Sequence, residues 1–192
     1  MAGDLALSNH AYEEAEIHFQ RVRNAKESQP VDAETAAALF GFGRAQTAIR
    51  EWYQFPEALS SLRRAFDYYV DVGDVARALT VAEYPIHPVV GRRIGVADLV
   101  ASALTLVSPD SSEAAQLLPR YGLALALETM DYDGAMEVFG RALTFAQDHG
   151  DVALEMRASA ADANFFFMRF QDSLENGRRA IELGERVDDL PT

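Results

Sequence analysis

DYDGAMEVFGRAL, residues Asp131 to Leu143, reads as a tight polar turn entering a helix. Ala135, Phe139 and Ala142 stand at i, i+4 and i+7, one stripe of a 3.6-residue helix, and Tyr132 packs just ahead of it. The same stripe recurs as Ala58, Leu62 and Ala65, as Val96, Val100 and Ala103, and more loosely as Ser173, Gly177 and Ala180. Near the start, Tyr12, Ala15, Phe19 and Val22 reproduce it again. Ala65, Ala103, Ala142 and Ala180 are 38, 39 and 38 residues apart, and each precedes a larger apolar residue: Phe66, Leu104, Leu143 and Ile181. Self-similarity at such a period marks a helical array, in which each helix pair buries its apolar face against its neighbours. The expected fold is all-α, with about five helix pairs in one repeat domain over residues 1–192.

Repetition decides the fold without deciding the function, because repeat scaffolds bind unrelated things. Composition narrows the classes. Against 30 acidic residues stand 17 basic ones, a formal charge of −13 in 192 residues. That balance argues against direct contact with nucleic acid, whose affinity comes largely from Lys and Arg neutralising phosphates. Lys26 is the single lysine, so the basic residues are nearly all arginine. With no cysteine, the chain has no disulfide, thiolate metal site or cysteine nucleophile. It contains no run of about 18 apolar residues and no basic stretch followed by an apolar core at its start. A cytoplasmic protein with no membrane partner is therefore expected.

The units fall at about residues 1–30, 31–73, 74–110, 111–150 and 151–190. The first has only the short segment Met1 to Leu7 ahead of its second helix. Asp32 is placed to cap a helix running to about Glu51, and the glycines within it, Gly41 and Gly43, suggest close backbone packing. After Trp52, Tyr53 and Gln54, Pro56 sits early in a helix that runs to about Asp71. Gly73 and Asp74 then separate helices, as do Gly150 and Asp151, each glycine eight residues past the anchor alanine; Ser111 and Asp188 take the equivalent places. The third unit is irregular. Pro85 and Pro88 stop its first helix near Tyr84, residues 86–95 form a loop, and a helix over Ala97 to Val107 ends at Pro109. Leu117, Tyr121 and Leu125 stripe the next first helix. The fifth unit contains Phe165, Phe166, Phe167 and Phe170, whose helical spacing favours core over a ligand floor. A half-unit at one end and a stop after Leu190 make a segment of a longer protein the expectation, open for self-association at its unpaired ends.

Paired helices with a small residue in the first and Tyr-x-x-Ala opening the second resemble the tetratricopeptide repeat. The likeness covers nearly the whole chain and is clearest at Gly122, Tyr132, Ala135, Phe139 and Ala142. The units depart from that family in being about four residues longer than its 34 and in lacking its tryptophan and terminal proline. Longer, Arg-rich units joined by Gly-Asp turns, such as SLRRAFDYYVDVGDVARAL and RALTFAQDHGD, are similar to the repeat regions of large bacterial signal-responsive regulators of the LuxR and maltose-regulator type. The resemblance implies a right-handed α-superhelix whose first helices line a concave groove, and a non-catalytic role in binding a protein, a peptide or a small-molecule inducer. The alternative is a general interaction scaffold.

Chemistry-bearing patterns are sparse. Neither a phosphate-cradling Gly-x-x-x-x-Gly-Lys loop nor a Gly-x-Ser-x-Gly elbow occurs, and no cofactor is expected. His10, Glu14 and His18 share a helix face, but i to i+8 spans about 12 Å, too far for one zinc ion. Asp131, Asp133 and Glu137 lack the EF-hand ligand order and fit a polar turn instead. On the register of the anchor alanines, the groove-facing candidates are Phe40, Arg44, Tyr84, Arg120, Arg157 and Asn164, with His87 at the edge of the broken unit. Arg92 and Arg93, in the irregular loop, form a basic focus suited to an anion or a partner carboxylate.

Overall fold

The computed structural model describes residues 2–26, 29–164 and 170–188. Among them the chain is all-α, with ten helices and no strand: α1 (Ala2–Ser8), α2 (Tyr12–Ala25), α3 (Ala33–Ile49), α4 (Phe55–Asp71), α5 (Val75–Glu83), α6 (Val96–Leu104), α7 (Ser112–Ala124), α8 (Tyr132–His149), α9 (Val152–Ala163) and α10 (Phe170–Asp188). Helices pack mainly against those next to them in sequence, the solenoid-like pattern that the period implies. None is long and apolar enough to cross a membrane. The chain divides into two compact units, Met1–His87 with α1 to α5, and Pro88–Thr192 with α6 to α10.

In the N-terminal unit the packing centres on a phenylalanine and the glycines that admit it. A Cβ on Gly3 of α1 would lie 2.6 Å from the Phe19 ring, and one on Gly41 of α3 would lie closer still. The ring of α2 thus fills a slot between two helices that only a missing side chain leaves open. Around it lie Ala6, Leu7, Ala15, Ala38, Phe42 and Ala45, all buried. Gly43 makes the same room for Leu62 of α4, where a Cβ would stand 2.6 Å from the leucine Cδ2. In the C-terminal unit, Gly122 of α7 does so for Phe139 of α8, also at 2.6 Å. The sequence stripes are therefore the buried ones: Ala58, Leu62, Ala65, Val96, Val100, Ala103, Ala135, Phe139 and Ala142 are all within 1% of full burial.

The turns follow from local chemistry. Asp32, Asp74, Asp131 and Asp151 each accept a backbone N–H three residues on, from Thr35, Arg77, Gly134 and Leu154. Gly73 and Gly150 adopt positive φ of 73° and 65°. With Asp74 N–H donating to Tyr69 O and Asp151 N–H to Ala146 O, these turns are Schellman motifs, which need the left-handed residue that glycine supplies. His10 and Met130 hold the same conformation without being glycine, at φ 59° and 57°.

Several sequence expectations are corrected. The segment before α2 is a helix, α1, because Gly3, Ala6 and Leu7 have Phe19 to pack on. Helix α6 stops at Leu104, five residues before Pro109, since the amides of Thr105 and Leu106 turn inward to Ser102 and Ala103 carbonyls. Helix α7 runs into a π-helical turn, Leu125–Thr129. Phe170 is 66% exposed, and Ile181, after the loosest stripe, 67%; Phe165, Phe166 and Phe167 lie outside the described residues.

Candidate functional site

Three of the residues selected by register converge in the N-terminal unit. Phe40 and Arg44 stand one turn apart on α3, and Tyr84 ends α5. Pro85 disfavours a helical conformation before it, and Tyr84 takes an extended ψ of 127°. Its ring meets Phe40 edge to face, with centroids 6.0 Å apart at 90°. Its hydroxyl lies 3.3 Å from Thr47 Oγ1 and donates to the Arg44 carbonyl at 3.3 Å. The Arg44 guanidinium sits over both rings, 5.5 Å from the Phe40 centroid and 5.6 Å from that of Tyr84. Such contacts attract a cation through the negative faces of the rings. Among the described residues no carboxylate pairs with Arg44.

Beside this cluster a cavity of about 270 Å³ opens, lined in part by Asp4 of α1, Phe40 and Arg44 of α3, Tyr69 of α4, and Arg77 and Thr80 of α5. Arg77 pairs with Asp74 at 3.4 Å, its guanidinium 5.7 Å from the Tyr69 ring centroid. Burial pushes the Tyr69 phenol above its ordinary value, Arg77 pulling it back. Sequence reasoning missed Tyr69, Arg77 and Thr80. Tyr69 sits at the end of a second helix and Arg77 in the first turn of α5, outside the positions that the first-helix register selects.

The other candidates are placed differently. Arg157 of α9 is exposed and donates to Gln116 Oε1 of α7, while Gln116 Nε2 donates to Asp151 Oδ2 at 3.0 Å. Arg120 is half-buried on α7, one turn beyond Gln116, with its Nε and Nη2 enclosed. Asn164 folds back onto its own helix, donating to Ala160 O at 2.9 Å. His87 is exposed, as are Arg92 and Arg93, and Arg93 pairs with Asp98 at 2.7 Å. His10 stacks edge to face on Tyr12. No group of three acidic or histidine side chains is disposed to hold a metal ion among the described residues.

The loop carrying Arg92 and Arg93 is anchored by a residue that the sequence did not flag. Glu128, in the π-helical turn and 5% exposed, accepts the first amides of α6: Gly95 at 3.3 Å, Val96 at 3.1 Å and Ala97 at 3.2 Å. Gly95 precedes the helix with φ 108° and has no side chain to cap it, so Glu128 does this from 33 positions away. Gly91 N–H adds a bond to Leu127 O at 2.8 Å.

Fold and cavity together define an all-α protein of packed helices whose N-terminal unit carries a pocket walled by two arginines and two aromatic rings. No family model matches the chain, and no curated protein matches it either.

Proposed function

We propose that this chain is a non-catalytic recognition segment of tetratricopeptide type, and that its binding surface is the face of α3 and α5 bearing Phe40, Arg44 and Tyr84. The observation that carries this reading is the convergence of Tyr84 with Phe40 and Arg44, some 40 residues earlier in sequence, beside a cavity. An arginine held over two rings without a carboxylate is poised to engage something else. The setting, a cytoplasmic signal-responsive regulator of the LuxR and maltose-regulator type, rests on the resemblance of the Arg-rich units. In it a ligand acts by favouring one arrangement of the helices over another, through differential affinity. Isothermal calorimetry and thermal shift with sugars, nucleotides and short peptides test the reading. Saturable binding that is lost in Phe40→Ala and Arg44→Glu is expected; no binding by any of them, with unaltered signalling by Arg44→Glu in the parent protein, sinks it.

A second reading, a self-associating scaffold, draws on α10. Phe170, Leu174 and Ile181 fall on one face of that helix and are 66%, 46% and 67% exposed. Light scattering over a concentration series separates the two readings, because a scaffold of this kind gains mass with concentration and loses that gain in Leu174→Glu.

A further inference from the structure

The walls of the cavity in the N-terminal unit carry a specific hydrogen-bonding pattern. Two guanidinium groups, Arg44 and Arg77, line one small space in a chain of net charge −13. The Arg44 side chain makes no hydrogen bond among the described residues; its guanidinium lies over the rings of Phe40 and Tyr84, and its donors have no partner there. Arg77 has one carboxylate neighbour, Asp74, at the long separation of 3.4 Å.

Tyr69 supplies an independent observation. It is 4% exposed and lines the cavity, yet its hydroxyl makes no hydrogen bond among the described residues. A phenolic O–H at the tip of a side chain otherwise held in the core can donate to a molecule that occupies the cavity. Thr80 has already committed its proton to the Ala76 carbonyl at 2.9 Å, so it offers only oxygen lone pairs. Asp4 brings a carboxylate to the α1 wall. Donors thus come from Arg44, Arg77 and Tyr69, and acceptors from Asp4 and Thr80.

We infer that this cavity binds a small organic oxyanion, a carboxylate or a phosphate monoester, with its charged head on Arg44, Arg77 and the Tyr69 hydroxyl and its body against Phe40. This deepens the binding reading given above and rests on it. Two arginines and a hydroxyl match the several lone pairs of such a head, and charge-assisted bonds of this kind are the strong ones. The acid at Asp4 selects against molecules charged negatively at both ends. The global charge slows the approach of any anion, but its effect is screened beyond about 8 Å at physiological salt, whereas the two arginines act at contact.

The test is nuclear magnetic resonance on the full chain, reading the arginine Nε–Hε signals and backbone amides, with four probes. Benzoate and phenyl phosphate carry the two head groups, inorganic phosphate is a head without a body, and benzamide is the uncharged counterpart of benzoate. Saturable shifts at Arg44 and Arg77 are expected with benzoate or phenyl phosphate, and the tighter of the two identifies the head group. Benzamide should bind at least about tenfold more weakly, and Arg44→Gln and Arg77→Gln should each weaken the anion about tenfold or more. Tyr69→Phe, which keeps the ring, should weaken it about three- to tenfold with unchanged circular dichroism. Arg63→Gln, whose side chain pairs with Asp67 instead, should bind as wild type. Benzamide binding as tightly as benzoate, or undiminished binding in both arginine variants, overturns the oxyanion class while leaving the cavity a binding site. No shift at any cavity residue, with these probes and with the sugars, nucleotides and peptides above, overturns the binding reading itself.

Discussion

Replacing Glu128 with alanine removes the acceptor for three amides at the start of α6, at 3.3, 3.1 and 3.2 Å. A hydrogen bond to a charged group contributes about 1.5 to 3 kcal/mol net, and a buried donor left unpaired costs about 1 to 3 kcal/mol. The three bonds do not add in full, since Gly95 and Ala97 share Oε2, and the desolvation of the carboxylate opposes them. The expected loss for Glu128→Ala is about 2 to 4 kcal/mol, and about half that for Glu128→Gln, which keeps one carbonyl oxygen as acceptor. Burial pushes the Glu128 carboxyl above its ordinary value of 4.5, against the pull of the Ala97, Val96 and Gly95 amides, with Asp98 adding to the rise. The native state therefore holds this proton more tightly than the unfolded chain. The stabilisation from this group is complete below the unfolded value and declines as pH rises through the folded one. Urea unfolding of wild type and both variants from about pH 4 to pH 7, with hydrogen exchange at Val96 to Leu99, measures both effects. The wild-type advantage over Glu128→Gln should shrink toward pH 7. A Glu128→Ala protein within about 0.5 kcal/mol of wild type, with its α6 amides still protected, refutes the capping role; an advantage that grows with pH refutes the burial argument.

Gly41→Ala and Gly122→Ala, which would drive a methyl group into the Phe19 and Phe139 rings, should each lose about 1 to 3 kcal/mol in urea unfolding. Gly140→Ala, where a Cβ meets nothing within 4 Å in the middle of α8, should gain about 0.5 to 1 kcal/mol in the same assay. His10→Gly and Met130→Gly should each relieve left-handed strain of about 1 kcal/mol and raise the thermal midpoint, whereas Gly150→Ala should lower it by a similar energy. Asp32, hydrogen-bonded by Lys26 and by the backbone and hydroxyl of Thr35, is held well below the usual carboxylate range. Its contribution is present above the unfolded value and lost as pH falls through the folded one, so Lys26→Met should reduce the acid sensitivity of the unfolding midpoint.

The helix pairs were legible because the buried stripe recurs at fixed spacing, and burial of one face leaves a periodic trace in any sequence. The Gly-Asp turns were legible because left-handed backbone and an N-cap each restrict the residue that can stand there. Glu128 was not. Its partners lie about 33 positions away, and its chemistry depends on a π-helical turn that no local pattern announces. The short α1 was missed for a related reason: seven residues carry too little periodicity by themselves, and what makes them helical is the Phe19 ring they pack on. At the candidate site, Phe40, Arg44 and Tyr84 followed from a register applied to first helices. The same rule overlooked Tyr69 and Arg77, which reach the cavity from the end of one helix and the first turn of the next.

The polar residues chosen by that register differ in what already satisfies them, and the difference singles out Arg44. Arg157 joins α9 to α7 through Gln116, and Asn164 closes its own helix end. Tyr84 ties the end of α5 to α3 through Thr47 and the Arg44 carbonyl. Each of these explains its polarity by a bond within the fold, so its position on the first-helix face needs no ligand to account for it. Arg44 has no such account among the described residues. Its guanidinium lies over two rings, next to a cavity that the Tyr69 ring also lines. Polarity that served only the fold would end on a partner within it, and the Arg44 guanidinium has no such partner among the described residues, which is the reason for placing the proposed oxyanion there.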